Sequence, residues 1–233
     1  MSAIVLFMAG IAVIAGWWLS HQRLTAKPWL EEGEIGDLPG ERPSLLPARI
    51  GLGVFLAVVG SLFALVTSAY LMRMDLPDWR TVPIPTLLWF NTGVLVLSSV
   101  TLQLAQVAAR YEDRDVVIAG LLAGGVSAVT FLAGQLLAWQ ELRNAGYFLT
   151  ANPANSFFYL ITGLHGLHLL GGLVALGRTI AKAFSGLALP QLRLSVELCT
   201  TYWHFLLLVW LILFGLLSGS ADDFLKICRQ VLG

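Results

Sequence analysis

The sequence predicts an all-α protein, specifically a polytopic membrane helix bundle with six transmembrane helices. Of the 233 residues, 57% are hydrophobic and only 12% are charged, whereas soluble domains have about 25% charged residues. The mean hydropathy is +0.78. Because so few charged residues cannot cover a globule in water, the chain is predicted to fold in lipid.

Six apolar stretches are long enough to cross a bilayer, which requires roughly 20 residues. Glu197 is the only charged residue placed within one of them, and the other charges lie in connections or at helix edges. This partition is expected because an unpaired charge in hydrocarbon costs several kcal/mol. The predicted spans cover residues 3–20, 50–72, 86–109, 116–139, 156–177 and 194–217.

The predicted organisation has four parts. Residues 1–20 form an N-terminal transmembrane helix, which we expect to be retained because no basic segment precedes its apolar run. Residues 21–48 form an acidic, proline-containing cytoplasmic loop, and residues 49–218 form a five-helix domain. Residues 219–233 are a short C-terminal tail, either an amphipathic surface helix or a frayed end.

The basic residues near the span ends predict an orientation. Nine of the 14 lysines and arginines lie in the first, third and fifth connections, and five lie on the opposite side. The odd-numbered connections are therefore predicted to face the cytoplasm, with both termini on the outer side. Within the cytoplasmic group, Arg178, Lys182 and Arg193 are candidate contacts for lipid head groups, although the orientation bias alone also accounts for them.

The charge balance excludes two classes of protein. The 14 basic residues equal the 14 acidic ones, so the formal net charge is zero. A nucleic-acid-binding protein needs a basic face, and a disordered chain combines low hydrophobicity with high net charge. We therefore expect a folded membrane protein and no nucleic-acid partner.

Polar residues in the sixth span form the first candidate site. Glu197, Thr201 and His204 are spaced by four and three residues, which places them on one stripe of a helix. A carboxylate at this depth needs a donor, which His204 or a histidine of the neighbouring helix can supply. Three interpretations remain open: an interhelical hydrogen-bonded contact, a proton-carrying or metal-ligating pair, and a lipid head-group contact.

The fifth span carries the second candidate site, in which His165 and His168 share one face. Small residues beside them allow a neighbouring helix to approach closely, so the histidines can bond across helices. Two histidines alone make a weak metal site, and completing it would require Glu197 and His204. The sequence thus predicts one intramembrane polar cluster made of Glu197, His204, His165 and His168.

Other polar residues within the spans are interpreted as helix-packing contacts. Asn91 and Ser98 lie seven residues apart in the third span, and Gln135 lies in the fourth. Trp203 of the sixth span is assigned to the same packing group. We expect neither a catalytic centre nor a metal site in this chain, because the spans lack the inward Glu-x-x-His pairs of a di-iron bundle and the sequence has no phosphate-binding loop.

Five sets of residues between about 49 and 217 occur in the order and spacing of a known family. They are Tyr202-Trp203-His204-Phe205 with Val209-Trp210 and Glu197; Thr162-Gly163-Leu164-His165-Gly166-Leu167-His168 with Phe157-Phe158; Gly134-Gln135 with Trp139 and Gly146; Leu88-Trp89-Phe90-Asn91-Thr92 with Leu97-Ser98-Ser99; and Arg49, Gly51, Phe55, Ala69-Tyr70 and Arg73. Together they resemble the cytochrome c oxidase subunit III family. Where that family often has carboxylates, this chain has Val59, Ala138 and Leu207.

The resemblance implies a five-helix family core with one additional N-terminal helix. It implies a non-catalytic subunit of a proton-pumping haem-copper terminal oxidase of aerobic respiration, in the inner (plasma) membrane of a bacterium. The bias of basic residues places both termini on the periplasmic side of that membrane. Haem and copper would reside in partner subunits, this chain would stabilise the catalytic subunit I and bind structural phospholipids, and subunit II and small subunits would complete the complex.

Two alternatives remain at this point. The same family resemblance fits an accessory subunit of a quinol oxidase or of a nitric oxide reductase. A different class is a small proton or metal transporter that uses the predicted polar cluster as a path, although the sequence lacks the inverted repeats that usually mark a transporter site.

Overall fold

The computed structural model describes residues 46–186 and 189–218, and in this part of the chain all regular structure is helical. Each helix is long and apolar enough to cross a membrane, judged by its length and composition. The all-helical class and five of the six predicted spans are thereby confirmed. The helices are α1 Leu46–Met74, α2 Leu87–Arg110, α3 Arg114–Asn144, α4 Pro153–Phe184 and α5 Leu189–Leu217.

Some predicted segments fall outside the described residues. The N-terminal transmembrane helix at 1–20 lies outside them, as do residues 21–45 of the predicted loop and the tail at 219–233. These three assignments stay predictions. The last residues of the predicted loop, from Leu46 onward, belong to α1, so the first described helix begins earlier than the apolar stretch alone indicates.

Side chains that cap the first turn explain where two of the helices begin. The Asp113 carboxylate accepts a hydrogen bond from the Val116 backbone N–H (3.2 Å) at the start of α3. The Asn152 side chain accepts one from the Ala154 N–H (3.3 Å) at the start of α4, where Pro153 occupies the first helical position. Proline is favourable there because the missing N–H would have had no helical partner.

The helices α2, α3, α4 and α5 form a closed four-helix bundle, with α1 packed on its outside. Contacts join α2 to α3, α3 to α4, α4 to α5 and α5 to α2, whereas α1 packs mainly on α5 and less on α4. The connection at 111–113 and the one that begins after α4 at Ser185 lie at one end, called here the short-connection end. Those at 75–86 and 145–152 lie at the other, called the long-connection end.

An ion pair between two side chains at the long-connection end anchors the chain that follows α1. The Arg73 guanidinium donates to both carboxylate oxygens of Asp78, one of them at 2.7 Å. These bonds hold the pKa of Asp78 below its ordinary value. Because both side chains are solvent-accessible, the pair orients the connection more than it stabilises the fold.

The core of the bundle is built from large aromatic and aliphatic side chains. Trp203, Trp210, Phe131 and Phe158 are almost completely buried, and the rings of Phe131 and Trp210 meet edge to face at 4.9 Å. In contrast, the large apolar side chains of α1 between Ala48 and Met74 are exposed or partly exposed except for Val59 and Phe63, as expected for a helix whose outer surface faces lipid or another protein.

Small residues set the distance between helices at two crossings. Between α2 and α3, a Cβ at Gly124 would lie 2.8 Å from the Leu102 Cγ. Between α4 and α5, a Cβ at Gly172 would lie 2.7 Å from the Tyr202 ring and 2.8 Å from the Trp203 ring. Buried aromatic rings cannot shift easily in a packed core, so the glycine is required for this approach.

We predict that Gly172→Ala destabilises the bundle while Gly171→Ala does not. The added methyl group at position 172 would overlap two aromatic rings, which typically costs about 1–3 kcal/mol. Gly171 is the matched control because it lies one residue away on the same helix with nothing within 4 Å of its Cβ position. Thermal unfolding of both variants in detergent measures the difference, and equal Tm values would show that the crossing is not tight.

Candidate functional site

The polar stripe predicted in the last span lies on the outer face of α5. Thr201 and His204 are exposed and Glu197 is partly exposed, and the Thr201 hydroxyl donates to the Glu197 carbonyl at 2.9 Å. We call Glu197, Thr201 and His204 the α5 polar strip. It faces outward, between the flanking helices α1 and α2 that both pack on α5.

The partner of Glu197 is an arginine of α1. The Arg49 guanidinium donates to the Glu197 carboxylate at 2.9 Å, with the two side chains 52% and 30% exposed. The sequence pattern indicated only histidines as donors and did not indicate Arg49, which is 148 residues away in the chain. The position of Arg49 at the edge of the first described span was the feature of the sequence that could have indicated this partner.

His204 is held by two side chains of α2 on the other flank of the strip. Its Nδ1 is hydrogen-bonded to the Ser99 hydroxyl, and its Nε2 lies 2.9 Å from the Gln103 Oε1. Because an amide oxygen only accepts, Nε2 is the donor, and in the neutral ring Nδ1 accepts from Ser99. Both ring nitrogens are thus engaged within this chain.

The two histidines of α4 point into the protein instead. His165 is fully buried, and among the described residues neither of its ring nitrogens has a hydrogen-bond partner. Its ring lies 5.0 Å from that of Trp210 and 5.8 Å from that of Phe131. His168 bonds through Nδ1 to the Leu164 carbonyl at 2.8 Å.

The four residues predicted to form one polar cluster therefore make separate contacts. The hydrogen bonds described above do not join Glu197 or His204 to His165 or His168. The physical reason is that the α5 strip lies on the outer surface of that helix, whereas Trp203 and Trp210 occupy its inner surface toward α4. Among residues 46–186 and 189–218, no group of three or more His, Cys, Asp or Glu side chains is arranged to hold a metal ion.

A layer of polar groups crosses the interior of the bundle at the depth of Trp210. The Trp210 indole N–H donates to the Thr92 hydroxyl at 3.0 Å, and the Trp139 N–H donates to Thr162 at 3.0 Å. Asn91 and Gln135 are buried in the same layer, with no partners among the described residues for their amide groups. Asn91 packs directly against Gly134, where any Cβ would overlap its amide.

The other predicted packing residues also lie in the interior. The Ser98 hydroxyl donates to the Gly124 carbonyl at 2.8 Å and thereby joins α2 to α3. Trp203 is fully buried, and its indole N–H has no partner among the described residues. Hydrogen bonds of this kind fix the register of helices in a medium that offers no competing donors or acceptors.

The three predicted lipid contacts lie together at the short-connection end. Arg178 and Lys182 are exposed on the last turns of α4, and Arg193 is exposed near the start of α5. The Lys182 ammonium donates to the Ser195 hydroxyl at 3.2 Å. This end therefore presents a set of cations at the membrane boundary.

Comparisons with known proteins agree with the resemblance. The model of the family "Cytochrome c oxidase subunit III" matches residues 54–218. Cytochrome c oxidase subunit 3 of Synechocystis sp. is 32% identical over 214 residues, which are 83% of this chain and 88% of that protein. The subunit 3 of Thermostichus vulcanus is 31% identical over 72% of this chain and 85% of its own length.

A third relative extends the comparison. The probable cytochrome c oxidase subunit 3 of Nocardia farcinica is 30% identical over 183 residues, which are 75% of this chain and 87% of that protein. The matched region includes all of α2, α3, α4 and α5, and therefore the whole four-helix bundle.

We predict that the bond between Trp210 and Thr92 contributes measurably to stability. Trp210→Phe removes the N–H donor and part of a buried ring, so we expect a loss of about 1–3 kcal/mol. Trp89→Phe is the control, because that ring is 64% exposed, and we expect a change within about 0.5 kcal/mol.

A double-mutant cycle isolates the hydrogen bond from the packing. Combining Trp210→Phe with Thr92→Val should give a coupling energy of about 0.5–1.5 kcal/mol. Unfolding in detergent followed by Trp fluorescence and circular dichroism supplies the four free energies. Purely additive effects would contradict a direct bond between the two side chains.

Proposed function

Because the chain belongs to the cytochrome c oxidase subunit III family, we propose that it is the non-catalytic subunit III of a proton-pumping haem-copper terminal oxidase. The protein is a multi-pass membrane protein of the cytochrome c oxidase subunit III family. Its proposed role is to stabilise the catalytic subunit I and to bind structural phospholipids. The observation that carries the proposal is the family match over the complete four-helix bundle.

The chemistry of the described histidines supports a non-catalytic role. His165 is enclosed by aromatic rings, and His168 is bonded to a carbonyl of its own helix. His204 uses both nitrogens on α2. His165 is packed between the Phe131 and Trp210 rings, and no group of three or more His, Cys, Asp or Glu side chains among the described residues is arranged to hold a metal ion. We therefore assign haem and copper to partner subunits.

The proposed setting is the inner membrane of a bacterium. The distribution of basic residues favours a cytoplasmic location for the short-connection end and a periplasmic location for both termini. The proposed partners are subunit I, subunit II and small subunits of the oxidase. An accessory role in a quinol oxidase or a nitric oxide reductase is the alternative. The electron donor that the isolated complex oxidises distinguishes the two oxidases, and reduction of nitric oxide instead of oxygen identifies the reductase.

We predict that the chain co-purifies with a haem-bearing subunit after mild detergent extraction. The complex should show haem absorption and oxidise reduced cytochrome c, whereas the chain separated from it should show no haem absorption. Absorption spectroscopy and metal analysis measure both. Stoichiometric haem or copper on the separated chain would refute the proposal, and oxidation of quinol but not cytochrome c would support the quinol oxidase.

We also predict that the cations at the short-connection end retain phospholipid. Each cation near an anionic surface is worth about 1 kcal/mol, so replacing Arg178, Lys182 and Arg193 by Gln should weaken lipid binding by about 100-fold. Phosphorus analysis of the delipidated complex measures the lipid that remains. Arg80→Gln is the control, since Arg80 is an exposed cation at the opposite end, and an equal loss in both variants would contradict a specific site.

A further inference from the structure

His204, the innermost residue of the α5 polar strip, lies at a depth where acyl chains offer no hydrogen-bond partner. The membrane-capable part of α5 spans Leu192–Leu217, and His204 is 12 residues into it, or roughly 18 Å at the helical rise. Gln103, which bonds to His204, is at the same depth. Both residues are exposed, and polar side chains at such a depth normally face protein or a water-filled cavity rather than acyl chains.

The Gln103 side chain, beside His204, has N–H donors that the hydrogen bonds within the described part of the chain do not use. The Gln103 Oε1 accepts from His204, so its amide NH₂ group points away from that bond with two N–H donors. In the part of the chain that the structure describes, the Gln103 side chain forms one hydrogen bond, the one to His204. The Thr201 hydroxyl uses its hydrogen on the Glu197 carbonyl and keeps an oxygen able to accept.

The packing of the helices leaves room beside these groups. Both α1 and α2 pack on α5, but no extensive packing joins α1 to α2 in the described part of the chain. The α5 polar strip therefore forms the floor of an open cleft whose walls are α1 and α2. Arg49 of α1 and Gln103 of α2 stand on the two walls and bond to the floor.

The opposite surface, formed by α3 and α4, provides a contrast. Its exposed hydroxyl, Thr130, donates to the carbonyl of Val126 on its own helix at 2.9 Å. The groove between α3 and α4 on this surface is otherwise lined by aliphatic side chains such as Val126, Val129 and Leu173. A surface of this kind is fully compatible with acyl chains, so the two sides of the molecule differ in the neighbour that they require.

We propose that the cleft between α1 and α2 is the docking surface for a transmembrane helix of a partner oxidase subunit. That helix would present a hydrogen-bond acceptor, such as a carboxylate, amide oxygen or hydroxyl, to the Gln103 amide group. This inference rests on the proposed function and specifies which surface of the chain makes the complex. Lipid does not supply the acceptor, because the hydrocarbon at this depth contains none.

Photocrosslinking in the assembled membrane complex tests the surface. A photoreactive amino acid replaces Leu208 or Val100, which are exposed beside His204 and Gln103, and Val126 or Leu136 in the control positions on α3. We expect crosslinks to the haem-bearing subunit, identified by mass spectrometry, at 208 and 100 only. Crosslinks to that subunit from 126 or 136 but not from 208 and 100 would overturn the proposal.

The other results also have definite meanings. Crosslinks from 208 and 100 to lipid alone, or to residues 1–45 of the same chain, would overturn the docking of a partner helix while leaving the proposed function intact. Failure of the unmodified chain to co-purify with any haem-bearing subunit would overturn the proposed function itself.

A substitution tests the hydrogen bond. Gln103→Leu should reduce the chain retained on the haem-bearing subunit after detergent dilution by about 10-fold, because it removes the donors and leaves the partner's acceptor unpaired. Gln103→Asn should retain more, since it keeps an amide. Thr130→Val, an exposed change on the α3 side, should have no effect. Circular dichroism verifies that each variant is folded, and equal retention of Gln103→Leu and the unmodified chain would contradict the proposed contact.

Discussion

The indole of Trp210 is the point at which all four helices of the bundle meet. Its N–H donates to Thr92 of α2, its ring meets Phe131 of α3 edge to face, and it lies against His165 of α4. One side chain of α5 therefore contacts each of the other three helices. Because a tryptophan is large and rigid, the bundle cannot slide at this level without losing several contacts at once.

Each of the other three pairs of neighbouring helices in the bundle is also joined by a hydrogen bond. Ser98 joins α2 to α3, Trp139 joins α3 to α4, and the Tyr202 hydroxyl donates to the His168 carbonyl between α5 and α4 at 2.9 Å. In lipid, helices gain nothing by burying apolar surface from water, so close packing and such bonds must hold them together. The peripheral helix α1 has one ion pair to α5, between Arg49 and Glu197, and buries few large side chains.

The fold was largely predictable from the sequence, but the pairing of polar groups was not. The exclusion of charge from the spans located all five described helices, and Asp113 and Asn152-Pro153 are recognisable as helix starts. Periodicity correctly placed Glu197 and His204 on one stripe of α5. It did not show that this stripe faces outward, because apolar residues surround the whole helix and the hydropathy pattern of a membrane helix does not separate lipid from protein. Trp203 and Trp210 were the better indicators of the inner surface, since large aromatic rings fill a bundle centre.

The difference between the inner and outer surfaces of the helices also bears on the role of the chain. At Val59 and Ala138, where the family resemblance would lead one to expect carboxylates, the side chains are apolar and buried. The intramembrane carboxylate that the described part of the chain does contain, Glu197, is paired to Arg49 on the outer surface. A path that carries protons through the bundle would need titratable groups in contact along its interior. Among the described residues, the buried side-chain polar atoms that lack a hydrogen-bond partner belong to amides, one indole and His165. The ion pair between Arg49 and Glu197 on the outer surface agrees with the proposal that polar residues of this chain serve contacts with a neighbouring subunit.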